Sequence, residues 1–111
     1  MQSEYYFKEG CFIQEWHNSS EDNECSIARV RVEPRQTTKL HALKDTVERY
    51  VLLEGSANVT VGDKVRNVGP GDVVVIDANT PQKITNLDAT DLIFLAICVP
   101  RFLPENYVEL E

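Results

Sequence analysis

The feature that most constrains this chain is a series of short segments in which apolar and polar residues alternate, separated by turn-forming residues. The clearest segment is residues 25–32, where Ser26, Ala28, Val30 and Val32 share one face. Because successive side chains of a β-strand point to opposite faces, this pattern predicts a strand. Many short strands separated by Gly, Pro and Asn predict an all-β sandwich or barrel.

The remaining segments follow the same reasoning. Residues 17–24 are predicted to be a polar loop, and residues 1–10 an arm that pairs with an edge strand or with a second subunit. Pro104 is a favourable first residue for a helix, so residues 104–110 are predicted to form a short C-terminal helix. Further strands are predicted at residues 11–16, 38–43, 47–54, 56–62, 64–68, 72–76, 82–86 and 91–98.

Length and charge restrict the class of protein. A chain of 111 residues is long enough for one hydrophobic core and too short for two, so residues 1–111 are predicted to be one domain. The formal net charge of −7 argues against nucleic acid or an anionic membrane surface as a partner. No apolar run approaches the ~20 residues of a membrane helix. Three cysteines without CxxC spacing and no secretory signal pattern predict reduced thiols in a cytoplasmic protein.

Strand alternation also places several polar side chains on the inward face of the predicted sheets. If Glu48 points inward, Tyr50 and Leu52 do so as well. An ionised carboxylate is costly to bury without a partner, so Glu48 marks a candidate site. The same alternation gives a predicted interior of His41, Glu48, Tyr50, Gln82 and Asn86, walled by Leu43, Leu52 and Ile84.

The stretch 41–55 resembles the first of two sequence motifs of the cupin superfamily. His41 matches the first histidine of that motif, Glu48 its glutamate and Gly55 its closing glycine. Leu43 stands where the family has a second histidine.

The second motif is matched in residues 69–86. Gly69, Gly71 and Asp72 match its turn, and Asn86 matches its asparagine. Gln82 stands where the family has a histidine. The resemblance covers about residues 25–100. It implies a cupin-type jelly-roll β-barrel, commonly paired as a homodimer.

The resemblance does not by itself define an activity, because one fold carries many functions. Cupins include isomerases, cyclases, decarboxylases and dioxygenases, many of them metal-dependent, as well as binding modules. We therefore expect a metal-binding pocket inside the barrel and an enzyme that acts on a small oxygenated molecule or a sugar.

The available ligands limit the metal site. His17 and His41 are the only histidines, so three histidines cannot meet within one subunit. The predicted set is the imidazole of His41, the carboxylate of Glu48 and the amide oxygen of Gln82. Such nitrogen and oxygen donors suit zinc, nickel, manganese or iron. The metal would polarise a substrate carbonyl, and Glu48 or Tyr50 would be the catalytic group that moves a proton.

Simpler interpretations remain open for each residue. Glu48 can pair with a nearby arginine, Gln82 can be a polar lining residue, and Tyr50 can be a core residue with a polar tip. The alternative function is therefore a metal-free cupin that binds a small molecule without catalysis.

A homodimer is also expected because apolar strand faces outside the pocket need cover. The faces predicted to meet the second subunit carry Val30, Val32, Leu53 and Ile97.

Overall fold

The computed structural model describes residues 3–111, and these residues form two antiparallel β-sheets. The six-stranded sheet contains β1 (Tyr5–Phe7), β2 (Cys11–Ser19), β3 (Asp22–Val32), β5 (Val47–Glu54), β8 (Val73–Ile76) and β10 (Leu92–Val99). The five-stranded sheet contains β4 (His41–Leu43), β6 (Ala57–Val61), β7 (Lys64–Val68), β9 (Gln82–Asn86) and β11 (Tyr107–Glu109).

The chain crosses between the sheets several times. Neighbours in the larger sheet follow the order β1-β2-β3-β10-β5-β8, and those in the smaller sheet the order β11-β4-β9-β6-β7. The predicted all-β class and the cupin-type jelly roll are therefore confirmed. Within residues 3–111 the sheets stay separate rather than closing into one continuously hydrogen-bonded barrel.

The core lies between the sheets because each strand buries one of its two faces. Leu52 and Phe94 of the larger sheet and Ile84 of the smaller sheet are each at most 1% exposed. The rings of Tyr50 and Phe94 lie with their centroids 4.5 Å apart. Inward residues from both sheets thus form one apolar layer, as face-to-face sheet packing requires.

Two predicted segments differ from the structure. The predicted polar loop at residues 17–24 is mostly strand, because Ser19 pairs with Asp22 across a tight hairpin. The predicted C-terminal helix is wrong: Pro104–Asn106 form one turn of 3-10 helix, and Tyr107–Glu109 then pair with β4. In both cases backbone pairing with a neighbouring strand prevails over local composition.

The N-terminal arm pairs within the chain, since Tyr5–Phe7 lie antiparallel to β2. Residues 1–2 of the predicted arm lie outside the described residues. Across residues 3–111 no helix has the length and hydropathy that a membrane crossing requires.

The predicted intersubunit face needs correction. Val30 and Val32 are 4% and 0% exposed and belong to the core, because they lie on the inward face of β3. Leu53 is exposed on the outer face of the larger sheet, where Val73 and Val75 of β8 are 44% and 51% exposed. This outer face, not the face of Val30, is available to a second subunit, and the homodimer stays a prediction.

We predict a homodimer through this outer face that Val75→Asp converts to a monomer, because a charge placed in an apolar contact loses its hydration. Size-exclusion chromatography with light scattering measures the change. Val65→Asp, at an exposed position of β7 in the other sheet, is the matched control and should leave the dimer intact. Unsubstituted protein that is monomeric at high concentration would contradict the homodimer.

Candidate functional site

A cavity lies against the inner face of the larger sheet, and β4 and β11 of the smaller sheet close one side of it. It offers about 60 Å³ to the centres of water-sized groups, several times the roughly 10–15 Å³ that one water needs. Aromatic and aliphatic side chains form most of its wall. The titratable side chains that line it are Tyr5, Glu9, Cys11, Glu15, His41, Glu48, Tyr50, Cys98 and Tyr107.

His41 is held in one orientation by the backbone beside it. Its Nδ1–H donates to the carbonyl oxygen of Lys39 at 2.7 Å, which directs Nε2 into the cavity. The ring of Tyr107 stacks on the imidazole, with centroids 5.1 Å apart and planes inclined by 17°. Burial lowers the pKa of His41, so the neutral imidazole is favoured.

Glu9 faces His41 across the cavity, with its Oε1 3.1 Å from His41 Nε2. It lies in the turn between β1 and β2, just before Gly10, whose φ of 103° is a conformation that favours glycine. Burial, and then the charge of nearby Glu48, raise the pKa of Glu9 to about 8. The raised pKa of Glu9 and the lowered pKa of His41 both favour a proton on the carboxyl group, with His41 Nε2 as an acceptor 3.1 Å away.

Glu48 lies at the centre of the site on β5 and is 7% exposed. Its Oε2 accepts a weak hydrogen bond from the Cys98 thiol at 3.7 Å, while its buried Oε1 has no hydrogen bond of normal geometry. Burial raises the pKa of Glu48 to about 7, and the Gln82 amide and Cys98 thiol offset only part of that rise. In the part of the chain that the structure describes, no arginine pairs with Glu48, and Arg29 and Arg31 pair with Glu4 instead.

Tyr50 and Gln82 form a buried pair beside the cavity. The Tyr50 hydroxyl donates a short hydrogen bond to the amide oxygen of Gln82. Burial, followed by the charge of Glu48, raises the pKa of Tyr50 well above its usual value, so the phenol stays protonated. Gln82 is 1% exposed but does not line the cavity.

These positions bear directly on the predicted metal ligands. His41 and Glu48 both line the cavity, whereas the oxygen of Gln82 is engaged by Tyr50. Within residues 3–111 no three His, Cys, Asp or Glu side chains are grouped so as to hold a metal. The residues as placed do not fit the predicted three-ligand site.

Asn86 was predicted in the interior and is buried, but it supports a loop rather than the cavity. Its Nδ2 donates to the carbonyl oxygens of Val32 at 3.0 Å and Thr90 at 2.9 Å. Its Oδ1 accepts from the backbone N–H of Asp88 at 2.9 Å. This amide therefore joins the end of β3 to the turn after β9.

The sequence reasoning missed Glu9 and Tyr107. Glu9 could have been identified from strand alternation. Every second residue from Tyr5 to Glu15 lines the cavity, and Glu9 is one of these residues. Tyr107 had no such signal, since it reaches the cavity only through the pairing of β11 with β4.

We predict that Glu48→Gln makes stability less dependent on pH. A carboxyl whose pKa rises on folding from 4.5 to about 7 stabilises the folded state less as pH rises through that window. The lost stability is on the order of 3 kcal/mol above the folded-state pKa. Urea unfolding at several pH values measures it. Glu54→Gln, exposed on the same strand, should keep the wild-type decline, and an equally steep decline in Glu48→Gln would contradict the assignment.

We predict substoichiometric zinc, nickel, manganese and iron in protein purified without a histidine tag, because the donors do not converge. Elemental analysis by mass spectrometry provides the measurement. A stoichiometric metal that disappears in Glu48→Ala would show instead that the predicted ligands rearrange to hold one.

Comparison with known proteins agrees with this architecture. The family described as "Cupin domain" matches residues 28–98. An uncharacterized protein of Methanocaldococcus jannaschii is 30% identical over 109 residues, which cover 96% of this chain and 87% of that protein.

Solved structures with the same fold include several enzymes. KdgF from Halomonas sp. is 15% identical over 91% of this chain and 88% of that one, with a TM-score of 0.80. A Streptomyces Pac13 variant with uridine is 15% identical over 98% of this chain and 84% of that one, with a TM-score of 0.83; Pac13 is described as a nucleoside dehydratase.

A larger neighbour is the oxalate decarboxylase of Lactobacillus farciminis in complex with formate. It is 22% identical over 97% of this chain but only 33% of that one, with a TM-score of 0.83. At these identities the solved structures establish the shared fold, and the family match spans well over half of the sequence. The protein therefore belongs to the cupin domain family.

Proposed function

We propose that this cupin is an isomerase or lyase that transfers protons on a small oxygenated molecule bound in the cavity. In this proposal Glu48 removes a proton from a carbon beside a carbonyl group. The Glu9–His41 pair delivers a proton to the oxygen where negative charge develops. The proposal gives Glu48 the proton-transfer role predicted from the sequence and adds Glu9 and His41 as its counterpart.

The observation that carries the proposal is that Glu48, with its unpaired Oε1, lines the same cavity as Glu9 and His41, whose Oε1 and Nε2 lie 3.1 Å apart. A general base is most effective when its pKa lies near the working pH, and burial raises the pKa of Glu48 to about 7. The Glu9 carboxyl, with a pKa of about 8, retains a proton at neutral pH. Two groups whose environments suit opposite roles therefore face one substrate-sized space.

The proposed step balances without an added reactant. The C–H bond breaks, its proton passes to Glu48, and its electron pair forms a carbon–carbon double bond. The proton of the Glu9 carboxyl group passes to His41 Nε2, 3.1 Å away, and from there to the carbonyl oxygen. For isomerisation, Glu48 returns its proton to the former carbonyl carbon while an adjacent hydroxyl group loses its proton to the Glu9–His41 pair. For dehydration, Glu48 protonates a hydroxyl group on the next carbon, which leaves as water while the enol proton returns to the Glu9–His41 pair.

The comparisons support an enzyme of this kind. Pac13, described as a nucleoside dehydratase, and an oxalate decarboxylase share the fold. Both names describe reactions that break a bond without hydrolysis. The proposal depends on the residues of this chain, because structures of such low sequence identity show a shared fold and not a shared activity.

Deuterium exchange measures the first step, removal of the proton beside the carbonyl group. In D₂O, removal of a proton beside a carbonyl replaces it with deuterium, and proton NMR records the loss of signal. A panel of hydroxyacetone, dihydroxyacetone and aminoacetone covers small carbonyl compounds of different polarity. We expect exchange above the solvent background for at least one of them.

Variants then assign the roles. We predict that Glu48→Gln and His41→Gln each slow the exchange by on the order of 100-fold or more, the usual range for a lost acid or base. The matched control is His17→Gln, because His17 is exposed, pairs with Asp22 at 2.8 Å and lies outside the cavity lining. Exchange that is unchanged in Glu48→Gln would contradict its role as the base.

One observation favours the second candidate, a binding module without catalysis. Leu43, in place of the second histidine of the family motif, presents an apolar side chain to the cavity. Ligand binding without exchange of any compound in the panel would support this function over the enzyme.

A further inference from the structure

The charge of the cavity wall is negative or neutral throughout. Three glutamates line it, Glu9, Glu15 and Glu48, and among residues 3–111 no lysine or arginine does. His41 is the basic residue of the wall, and its Nε2 is already engaged by Glu9. A bound anion would therefore meet carboxyl groups and no free positive charge.

Nearby cations are held by other groups. Lys8 lies over the Tyr107 ring but pairs with Glu109 at 2.9 Å. Arg101 donates to the side-chain oxygens of Asn18 at 3.0 Å and Asn23 at 3.2 Å. These contacts hold both positive groups away from the carboxyls of the cavity.

A second observation is a buried acceptor atom in the wall that has no donor. Glu48 is more than nine-tenths buried and lines the cavity, yet its Oε1 has no hydrogen bond of normal geometry. A buried acceptor without a donor is unfavourable. A ligand that places an N–H or O–H donor at this atom removes that cost, and a positively charged donor also stabilises the carboxylate.

The other residues of the cavity wall indicate the chemistry of the rest of the ligand. Ile13, Leu43, Phe94 and Ala96 are apolar, and partly exposed aromatic rings, including Phe7 and Phe102, complete the lining. Such walls fit a carbon skeleton, and aromatic faces attract organic cations. A bare metal ion would leave these walls without contact, and no three suitable ligands are grouped within residues 3–111.

We infer that the cavity selects small organic cations, such as protonated primary amines with an apolar body, and rejects carboxylates and phosphates. The inference rests on the proposed function for its site and names the charge class of the substrate. A positive charge on the substrate also makes neighbouring C–H bonds more acidic, which assists proton removal by Glu48.

Electrostatics gives the expected order of affinity. In a partly exposed site, opposite charges attract and like charges repel more strongly than in bulk water. Loss of hydration by the ligand opposes most of that attraction. A neutral hydroxyl group satisfies Glu48 Oε1 without the charge gain and should rank between the two.

The experiment compares three ligands of nearly equal shape: isobutylamine, isobutanol and isobutyrate. Binding to the full chain is followed by ligand-observed NMR at about pH 8, above the pKa of Glu48 of about 7. We expect the amine to bind on the order of tenfold more tightly than the carboxylate, with the alcohol between them. Isobutyrate that binds as tightly as isobutylamine would overturn the inference.

Variants separate this inference from the proposed function. Glu48→Gln should reduce the preference for the amine while retaining alcohol binding, and Glu15→Gln at the cavity rim should reduce it less. Glu54→Gln, outside the cavity, should not change it. An amine preference that survives in wild-type protein without any proton exchange in the carbonyl panel would overturn the proposed function alone. Proton exchange without an amine preference would overturn this inference alone.

Discussion

The structure depends on the burial of two carboxyl groups between β-sheets that otherwise enclose apolar side chains. Removing a charged carboxylate from water is costly unless hydrogen bonds or opposite charges replace the hydration. Here Glu9 and Glu48 receive few such contacts, and weakly donating thiols provide two of them: Cys11 lies 3.8 Å from Glu9, and Cys98 lies 3.7 Å from Glu48. Burial instead raises their pKa values, so Glu9, with a pKa of about 8, holds its proton at neutral pH, and Glu48, with a pKa of about 7, exchanges its proton there.

The same arrangement explains why these groups stay reactive. Arginines that would hold the carboxyls ionised lie on the outer face of the larger sheet, where Arg31 pairs with Glu4 at 2.8 Å. Inside the cavity, Lys39 fixes the orientation of His41 through its carbonyl oxygen, and Tyr107 stacks on the ring. A fixed imidazole beside a protonatable carboxyl requires little reorganisation during proton transfer, which is the usual advantage of a preorganised site.

The strand pattern was readable from the sequence because alternation and turn residues are local properties. Strands at residues 47–54, 64–68 and 82–86 match the structure residue for residue, and the inward direction of Glu48, Tyr50 and Leu52 follows from their spacing. Local composition failed at residues 17–24 and 104–110. There, backbone pairing with a neighbouring strand determines the conformation, and composition carries no information about that neighbour.

The amino-acid sequence by itself determined the all-β fold, the jelly-roll resemblance and the presence of His41 and Glu48 on inward faces, because these follow from periodicity and motif spacing. Only the tertiary structure decided what those residues meet. It brought Glu9 from the first turn to His41, directed the oxygen of Gln82 to Tyr50, and laid Tyr107 against the imidazole. These contacts join residues far apart in the chain, and pairing between strands, which no local pattern specifies, fixes their distances.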